Sequence, residues 1–361
     1  MRQNLHRFIS FSLFSFFFLA SFLTGCFNKK QEGTTDQQTQ QPSGDAGSFL
    51  GAGSSFAYPL YVKWGLDYQK TNPSFFLNYQ GIGSGGGVRQ LMNKTVDFGA
   101  VDTPLTVEEL EALKRPVLHL PTALGAVVIA YNLIEIEEQG ELRLDGPTLA
   151  KIFNGEIKKW DHPEIKKLNP SFNFPRKNIS VVHRADGSGT TAIFSEYLSN
   201  HDTHWAQNVG KGKSLQWPIG IGAKGNQGVA GVIKQSEGSL GYIELGYAVS
   251  TKLKMAALKN IHTQEFVTPS SESISKAASM IKSPEQVLNS LLDSSIPASY
   301  PLSGFTYILL TAQNSAEKMK QFKDFLSWAL TEGQKEVHQL HYAPLPVELQ
   351  IPLLEEIKKF Q

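Results

Sequence analysis

Arg184-Ala185-Asp186-Gly187-Ser188-Gly189-Thr190-Thr191 brings together a guanidinium, a carboxylate two residues on, and the hydroxyls of Ser188, Thr190 and Thr191. An apolar, β-branched run (Ile179, Val181, Val182) precedes this stretch and an amphipathic stripe (Ile193, Phe194, Tyr197, Leu198) follows it. The pattern predicts a strand, a tight turn and a helix start. A helix N-terminus presents unpaired backbone N–H groups and a partial positive charge, so it attracts anions. Two similar turns lie earlier: Gly51-Ala52-Gly53-Ser54-Ser55-Phe56 and Gly81-Ile82-Gly83-Ser84-Gly85-Gly86-Gly87. Three donor-rich loops, each opening a helix, suit one dehydrated tetrahedral oxyanion held from several sides.

From Phe49 onward, short strand-like runs alternate with amphipathic helical stretches, which predicts an α/β architecture. Leu60, Tyr61, Trp64 and Tyr68 form a helical stripe after the first loop, and Phe76 to Tyr79 reads as a strand into the second. Val96 to Ala100 reads as another strand with Asp102 just past its end, and Thr106 with Glu109 fits a capping box. Ala126 to Ala130 is a buried-strand candidate and a first crossing between domains. Thr148 to Phe153, Gln227 to Lys234 and Ser271 to Lys282 read as helices. Phe305 to Thr311 reads as a strand returning to the first domain, and Met319, Phe322, Phe325, Leu326 and Ala329 as a helix stripe. Pro352 kinks or starts a late helix. Open α/β sheets bind ligands at strand ends and helix starts, where the three loops and Asp102 all fall.

Blander and rival readings bear on each motif. A glycine-rich turn alone is ordinarily a turn, and Arg184 with Asp186 alone is an ordinary ion pair. Gly81-x-Gly83-x-x-Gly86 with Asp102 matches the dinucleotide fingerprint, but Thr103-Pro104 after the Asp is not a ribose-binding context. The P-loop template fails, because Gln207 stands where its leading Gly should precede Gly212-Lys213-Ser214. Ser188 is not in Gly-x-Ser-x-Gly and has no local His as base. The pairs His201/His204 and His338/His341 have metal-compatible spacing but no Cys or Glu-His motif beside them, so surface or capping roles fit better and no metal is expected.

Arg2 and Arg7 followed by the apolar run Phe8 to Leu23 form an export signal too short for a comfortable membrane span. It ends in Leu23-Thr24-Gly25-Cys26, which resembles the bacterial lipobox; residues 1–25 would be removed and Cys26, the sole cysteine, acylated. The mature chain then has no disulfide and no free thiol. Subtracting Arg2 and Arg7 from 34 basic residues leaves 32 against 33 acidic ones, and no basic cluster marks a nucleic-acid partner. Residues 26–48 are rich in Gln, Thr, Gly, Ser and Asp and read as a flexible tether, leaving the protein anchored to a membrane rather than spanning it.

On these residues the chain resembles the phosphate-binding receptors (PstS type) of the phosphate ABC importer. The matching stretches are Gly51 to Phe56, Tyr79 to Gly87, Val96 to Asp102, Gly155-Glu156-Ile157-Lys158-Lys159-Trp160, Arg184 to Thr190, Trp217-Pro218-Ile219-Gly220 and Gly225-Asn226-Gln227-Gly228. The resemblance implies a bilobed, type II periplasmic-binding-protein-like fold: two α/β domains with mixed sheets joined by crossing strands. Residues 49–123 plus 296–361 would form lobe I and residues 124–295 lobe II. It implies phosphate binding by Ser55, Phe56, Ser84, Asp102, Arg184, Ser188, Gly189 and Thr190, with Asp186 orienting Arg184. Ser55 stands where relatives often have Thr, and the hydroxyl is kept. Val101 and His183 depart from the pattern at positions that are not ligands.

The same resemblance implies an exported, lipid-anchored, monomeric receptor that needs no cofactor and delivers phosphate to permease subunits and their ATPase. Its chemistry is coherent. Phosphate near neutrality keeps a P–OH and sulfate has none, so the accept-only carboxylate of Asp102 would select between them. The fork of Arg184 and the hydroxyls would satisfy the remaining oxygens. An enzyme using the same pocket is the alternative class, but it would need a nucleophile–base pair or metal cluster that the sequence does not offer. Asp102 does not separate phosphate from arsenate.

Overall fold

The computed structural model describes residues 47–312 and 314–360, so the export segment, Cys26 and residues 27–46 of the expected tether lie outside the described residues. Ser48 already opens the first strand.

The strands are β1 (Ser48–Gly53), β2 (Phe76–Gln80), β3 (Phe98–Val101), β4 (Val117–Asn132), β5 (Arg143–Leu144), β6 (Ser180–Arg184), β7 (Ile221–Ala223), β8 (Ser239–Glu244), β9 (Lys254–Met255), β10 (Ala257–Lys259), β11 (Phe266–Val267) and β12 (Ser303–Thr311). The helices are α1 (Tyr58–Thr71), α2 (Ser84–Met92), α3 (Val107–Leu113), α4 (Gly146–Asn154), α5 (Pro163–Leu168), α6 (Gly189–His201), α7 (Thr203–Asn208), α8 (Gly225–Gln235), α9 (Leu245–Thr251), α10 (Ser271–Ala277), α11 (Ala316–Ala329) and α12 (Val347–Lys359).

The strands hydrogen-bond in the order β2-β1-β3-β12-β4-β8-β6-β7, with β9 also on β4. β1 runs parallel to β2 and β3, and β12 runs antiparallel to β3 and β4. β8 is antiparallel to β4, whereas β6 is parallel to both β8 and β7. This is a bilobed α/β fold whose two mixed sheets share β4. Residues 117–126 of that strand pair with β12, and residues 127–132 pair with β8. The partner changes between Ala126, opposite Ser303, and Val127, opposite Glu244. β4 is buried without interruption from Leu120 to Tyr131, which accounts for its long apolar run: a strand covered on both faces does not alternate. A smaller sheet, β11-β10-β5, lies apart from this path.

The cores follow the expected stripes. α1 buries Leu60, Tyr61, Trp64 and Tyr68, and α11 buries Met319, Phe322, Phe325, Leu326 and Ala329. Phe49, Phe75, Phe98, Phe322 and Phe325 stack as one aromatic cluster in the first lobe. Thr106 and Glu109 form the capping box of α3. The helix expected over Ser271 to Lys282 stops at Ala277. Beyond it the chain turns, with the Ile281 N–H on the Ala278 carbonyl at 3.0 Å, and the Lys282 N–H goes to the Gln286 side chain at 2.7 Å. Pro352 neither starts nor ends α12 but sits inside it.

Candidate functional site

The starts of α1, α2, α6 and α8 meet across the cleft between the lobes. α1 and α2 pack on β1–β3, while α6 and α8 pack on β6 and β8. Backbone contact closes the cleft directly, since the Gly85 N–H donates to the Gly187 carbonyl at 2.9 Å. The Lys213 ammonium and the Glu109 carboxylate form an ion pair over the same boundary.

Asp102 follows β3 and is almost wholly buried. Its Oδ1 accepts from the hydroxyls of Ser54 and Thr306, the latter at 2.9 Å. Among the described residues its Oδ2 has only the looser Ser84 hydroxyl, at 3.3 Å. One oxygen is therefore anchored, and the other is open to an incoming donor. That open oxygen points across the cleft: a Cβ added at Gly189 would stand 2.4 Å from it. Burial raises the Asp102 pKa to about 6, against the lowering effect of Ser54, Thr306, Arg184 and Ser84. At neutral pH the group remains an anion and an acceptor.

Arg184 ends β6 with its side chain buried. Nε donates to Asp186 Oδ1 at 2.8 Å and Nη2 to Oδ2 at 2.5 Å, a two-pronged fork. Nη1 reaches Thr190 Oγ1 at 3.3 Å. Of the five guanidinium donors, two remain for a ligand, one on each terminal nitrogen. Asp186 also accepts the Gly225 N–H at 3.0 Å. Burial opposes its ionisation, but Arg184 and that N–H prevail and hold its carboxyl below the usual range.

The remaining expected residues converge on the same cleft. Ser188 caps α6, with its Oγ accepting the Thr191 N–H at 3.0 Å. Gly189 donates its N–H across the cleft to Ser84 Oγ at 3.1 Å. Gly83, just before α2, has φ of 86° and would carry a Cβ only 2.3 Å from Asp186 Oδ2, so both conformation and proximity require glycine. Ser55 Oγ accepts from Asn226 N and Nδ2 at 3.2 and 3.1 Å. The Phe56 ring is buried edge-on to Tyr342, which leaves its backbone as the part that can reach a ligand. His183 is stacked on Trp217 and His201 is paired with Asp293, both outside this group.

Five residues that the sequence did not single out complete the arrangement. Ser54 and Thr306 hold Asp102; Asn226 joins Ser55 to Thr190; the Tyr247 hydroxyl donates to the Ser55 carbonyl at 2.8 Å; and Glu244 donates its N–H to Asn226 Oδ1 at 3.1 Å. Ser54 and Asn226 lie within recognised motif stretches, so they were within reach of the sequence. Thr306 stands 204 residues from Asp102 on a strand with no local polar signature. A hollow of about 410 Å³ beside this cluster is lined by Ile193, Lys213, Leu292, Phe305 and Tyr307 among others and shares only Asp102 with it.

Residues 34–332 match the family model of the PBP superfamily domain. The chain is 41% identical over 343 residues to the phosphate-binding protein PstS of Xylella fastidiosa, covering 91% of this chain and 92% of that protein. It is 42% identical over 311 residues to the PstS of Haemophilus influenzae, covering 85% and 92%. Among solved structures, an ABC-type phosphate transport receptor from Vibrio cholerae superposes with a TM-score of 0.55 at 19% identity, over 82% of this chain and 100% of that one. A human phosphate-binding apolipoprotein gives 0.68 at 19% identity, over 86% and 94%. At such identities the structural likeness establishes the fold alone. The sequence likeness runs along most of both chains, and on it the chain belongs to the PstS family of phosphate-binding proteins within the PBP superfamily.

Proposed function

We propose that this protein binds inorganic phosphate between its two lobes and hands it to the permease of an ABC importer. One observation carries the ligand: the Arg184 fork, with two free N–H donors, and the open oxygen of Asp102 belong to one closed, buried site. A ligand suited to both must present bare oxygens to one and a proton to the other, as partly protonated phosphate does. Ser55, Ser84, Ser188 and Thr190 supply hydroxyls, and Phe56 and Gly189 supply backbone N–H groups, with Ser84 and Gly189 exchanging their present bonds to Asp102 and to Ser84 for bonds to the ligand; Asp186 keeps the Arg184 fork in plane. The hydroxyls of Ser55 and Thr190 each accept from two donors, which makes them donors to a ligand rather than nucleophiles and favours a receptor over a catalyst.

The switch of β4 from β12 to β8 between Ala126 and Val127 supports the lobe boundary near residue 123, and the second boundary is proposed near residue 295. No helix among the described residues is long and apolar enough to cross a membrane, and the proposed tie to the membrane is a lipid on Cys26, with the receptor exported and acting as a monomer. Replacing Cys26→Ser should move the protein from the membrane to the soluble fraction of cells; unchanged membrane retention would rule out the lipid anchor.

The ligand is tested by calorimetric titration of the tetherless protein, stripped of bound anion, with phosphate and separately with sulfate. One-to-one phosphate binding without a sulfate response is expected. Binding of sulfate with equal strength, or of neither anion, would overturn the reading.

A further inference from the structure

Asn226 is the second residue of α8 and is fully buried. Its amide is oriented without ambiguity, because Oδ1 accepts the Glu244 backbone N–H at 3.1 Å and a backbone N–H can only donate. The Nδ2 edge therefore faces two hydroxyls, Ser55 Oγ at 3.1 Å and Thr190 Oγ1 at 3.3 Å. Each hydroxyl already receives one other donor: the Asn226 backbone N–H on Ser55 at 3.2 Å, and Arg184 Nη1 on Thr190 at 3.3 Å. A hydroxyl oxygen has two lone pairs and one proton. With both lone pairs engaged, the proton of each hydroxyl has to be given away.

We infer that Asn226 is a positioning residue that commits the Ser55 and Thr190 hydroxyls to donate into the anion site, and that does so for Ser55 only when the lobes are closed. Ser55 follows β1 in the first lobe, while Thr190 and Asn226 belong to helices packed on β6 and β8 in the second. The amide thus joins the lobes through a side chain that also sets ligand-facing hydrogen bonds. An open cleft would break the Asn226–Ser55 contacts and free the Ser55 hydroxyl to turn, whereas closure restores its polarity. Tyr247, whose hydroxyl donates to the Ser55 carbonyl, makes a second tie at the same place without bearing on that polarity.

This inference rests on the phosphate-receptor reading above. The test compares the parent with Asn226→Asp, Asn226→Ala, Ser55→Ala and the Ser55→Ala/Asn226→Ala double variant. Phosphate affinity is measured by calorimetry and dissociation by stopped flow. Asn226→Asp keeps the shape but cannot donate through its side chain; both hydroxyls then turn toward the carboxylate and away from the ligand. We expect phosphate affinity to fall about a hundredfold in Asn226→Asp and about tenfold in Asn226→Ala, mainly through faster dissociation. In the double variant, removing Asn226 after Ser55 should cost less than it does in the parent, since one of the hydroxyls it orients is already gone. Melting of the ligand-free proteins monitors the fold, and the isosteric Asn226→Asp carries the test if Asn226→Ala unfolds. A parent that binds phosphate with an Asn226→Asp variant within about threefold of it, or fully additive losses in the double variant, would overturn the role of Asn226 alone. A parent that binds no phosphate would overturn the receptor reading and this inference with it.

Discussion

Asp102 shows how a single carboxylate is divided between structure and recognition. Ser54 and Thr306 hold Oδ1, while Oδ2 keeps only the longer Ser84 contact. Replacing Asp102→Asn turns an accept-only group into one that can also donate, so sulfate gains a partner where phosphate loses one. We expect the preference for phosphate over sulfate to fall by about one to two orders of magnitude, the scale of one or two mismatched buried hydrogen bonds. The parent should show a related loss with acid. Burial pushes the Asp102 carboxyl up to about 6, so selectivity held above that pH declines as the carboxylate is protonated below it. Competition titrations at about pH 8 and about pH 5 check both statements. A preference that does not change with the substitution would remove Asp102 from recognition. Arg184 and Asp186 were legible as a pair because they stand two positions apart at the start of a turn. The hold on Asp102 was not, since Thr306 arrives from a strand 204 residues away.

At the scale of elements, the site is a set of helix starts placed by short turns. Strand–turn–helix units were legible because hydrophobic period and glycine-rich turns are local signals. β6, α6 and the turn between them fall where Ile179 to Leu198 predicted. How close the turns approach was not legible. Gly189 is the first residue of α6, and its hydrogen takes the place where a methyl would meet Asp102 Oδ2 at 2.4 Å and Ser84 Oγ at 2.6 Å. Gly189→Ala should therefore leave the ligand-free fold as stable or stabilise it by up to about 1 kcal/mol, because alanine is the better helix former. The same methyl should weaken phosphate binding at least tenfold, about 1.4 kcal/mol, by holding the lobes apart. Melting and titration of one preparation read the two effects separately. Undiminished affinity would mean that the closed contact is not required for binding.

For the whole molecule, Glu244 ties folding to proton balance. It ends β8 opposite Val127, where β4 changes partners. Gly246 N–H donates to Oε1 at 2.9 Å, whereas buried Oε2 has no partner among the described residues. Burial raises its pKa from 4.5 to about 8, despite lowering by the N–H groups of Gly246 and Tyr247. The folded state therefore keeps a proton that the unfolded chain has released, and stability declines as pH rises from about 4.5 toward about 8. Glutamine mimics the protonated form, so Glu244→Gln should remove this component. The melting temperature of the ligand-free variant should gain several degrees on the parent between about pH 5 and about pH 8. Parallel pH profiles for the two proteins would show that Glu244 is not held neutral in the fold.

The sequence by itself determined what short-range chemistry encodes: the alternation of strands and helices, the loop motifs, the Arg184–Asp186 turn, the capping box at Thr106, and with these the family. Tertiary structure alone decided which groups face one another. It set Thr306 and Ser54 on one oxygen of Asp102, brought Gly189 against the other, made β4 common to both sheets, and laid Asn226 between hydroxyls from two lobes. The reason is range. Periodicity and turn chemistry act over a few residues, whereas the polarity of a buried hydroxyl depends on every donor and acceptor that closure brings to it.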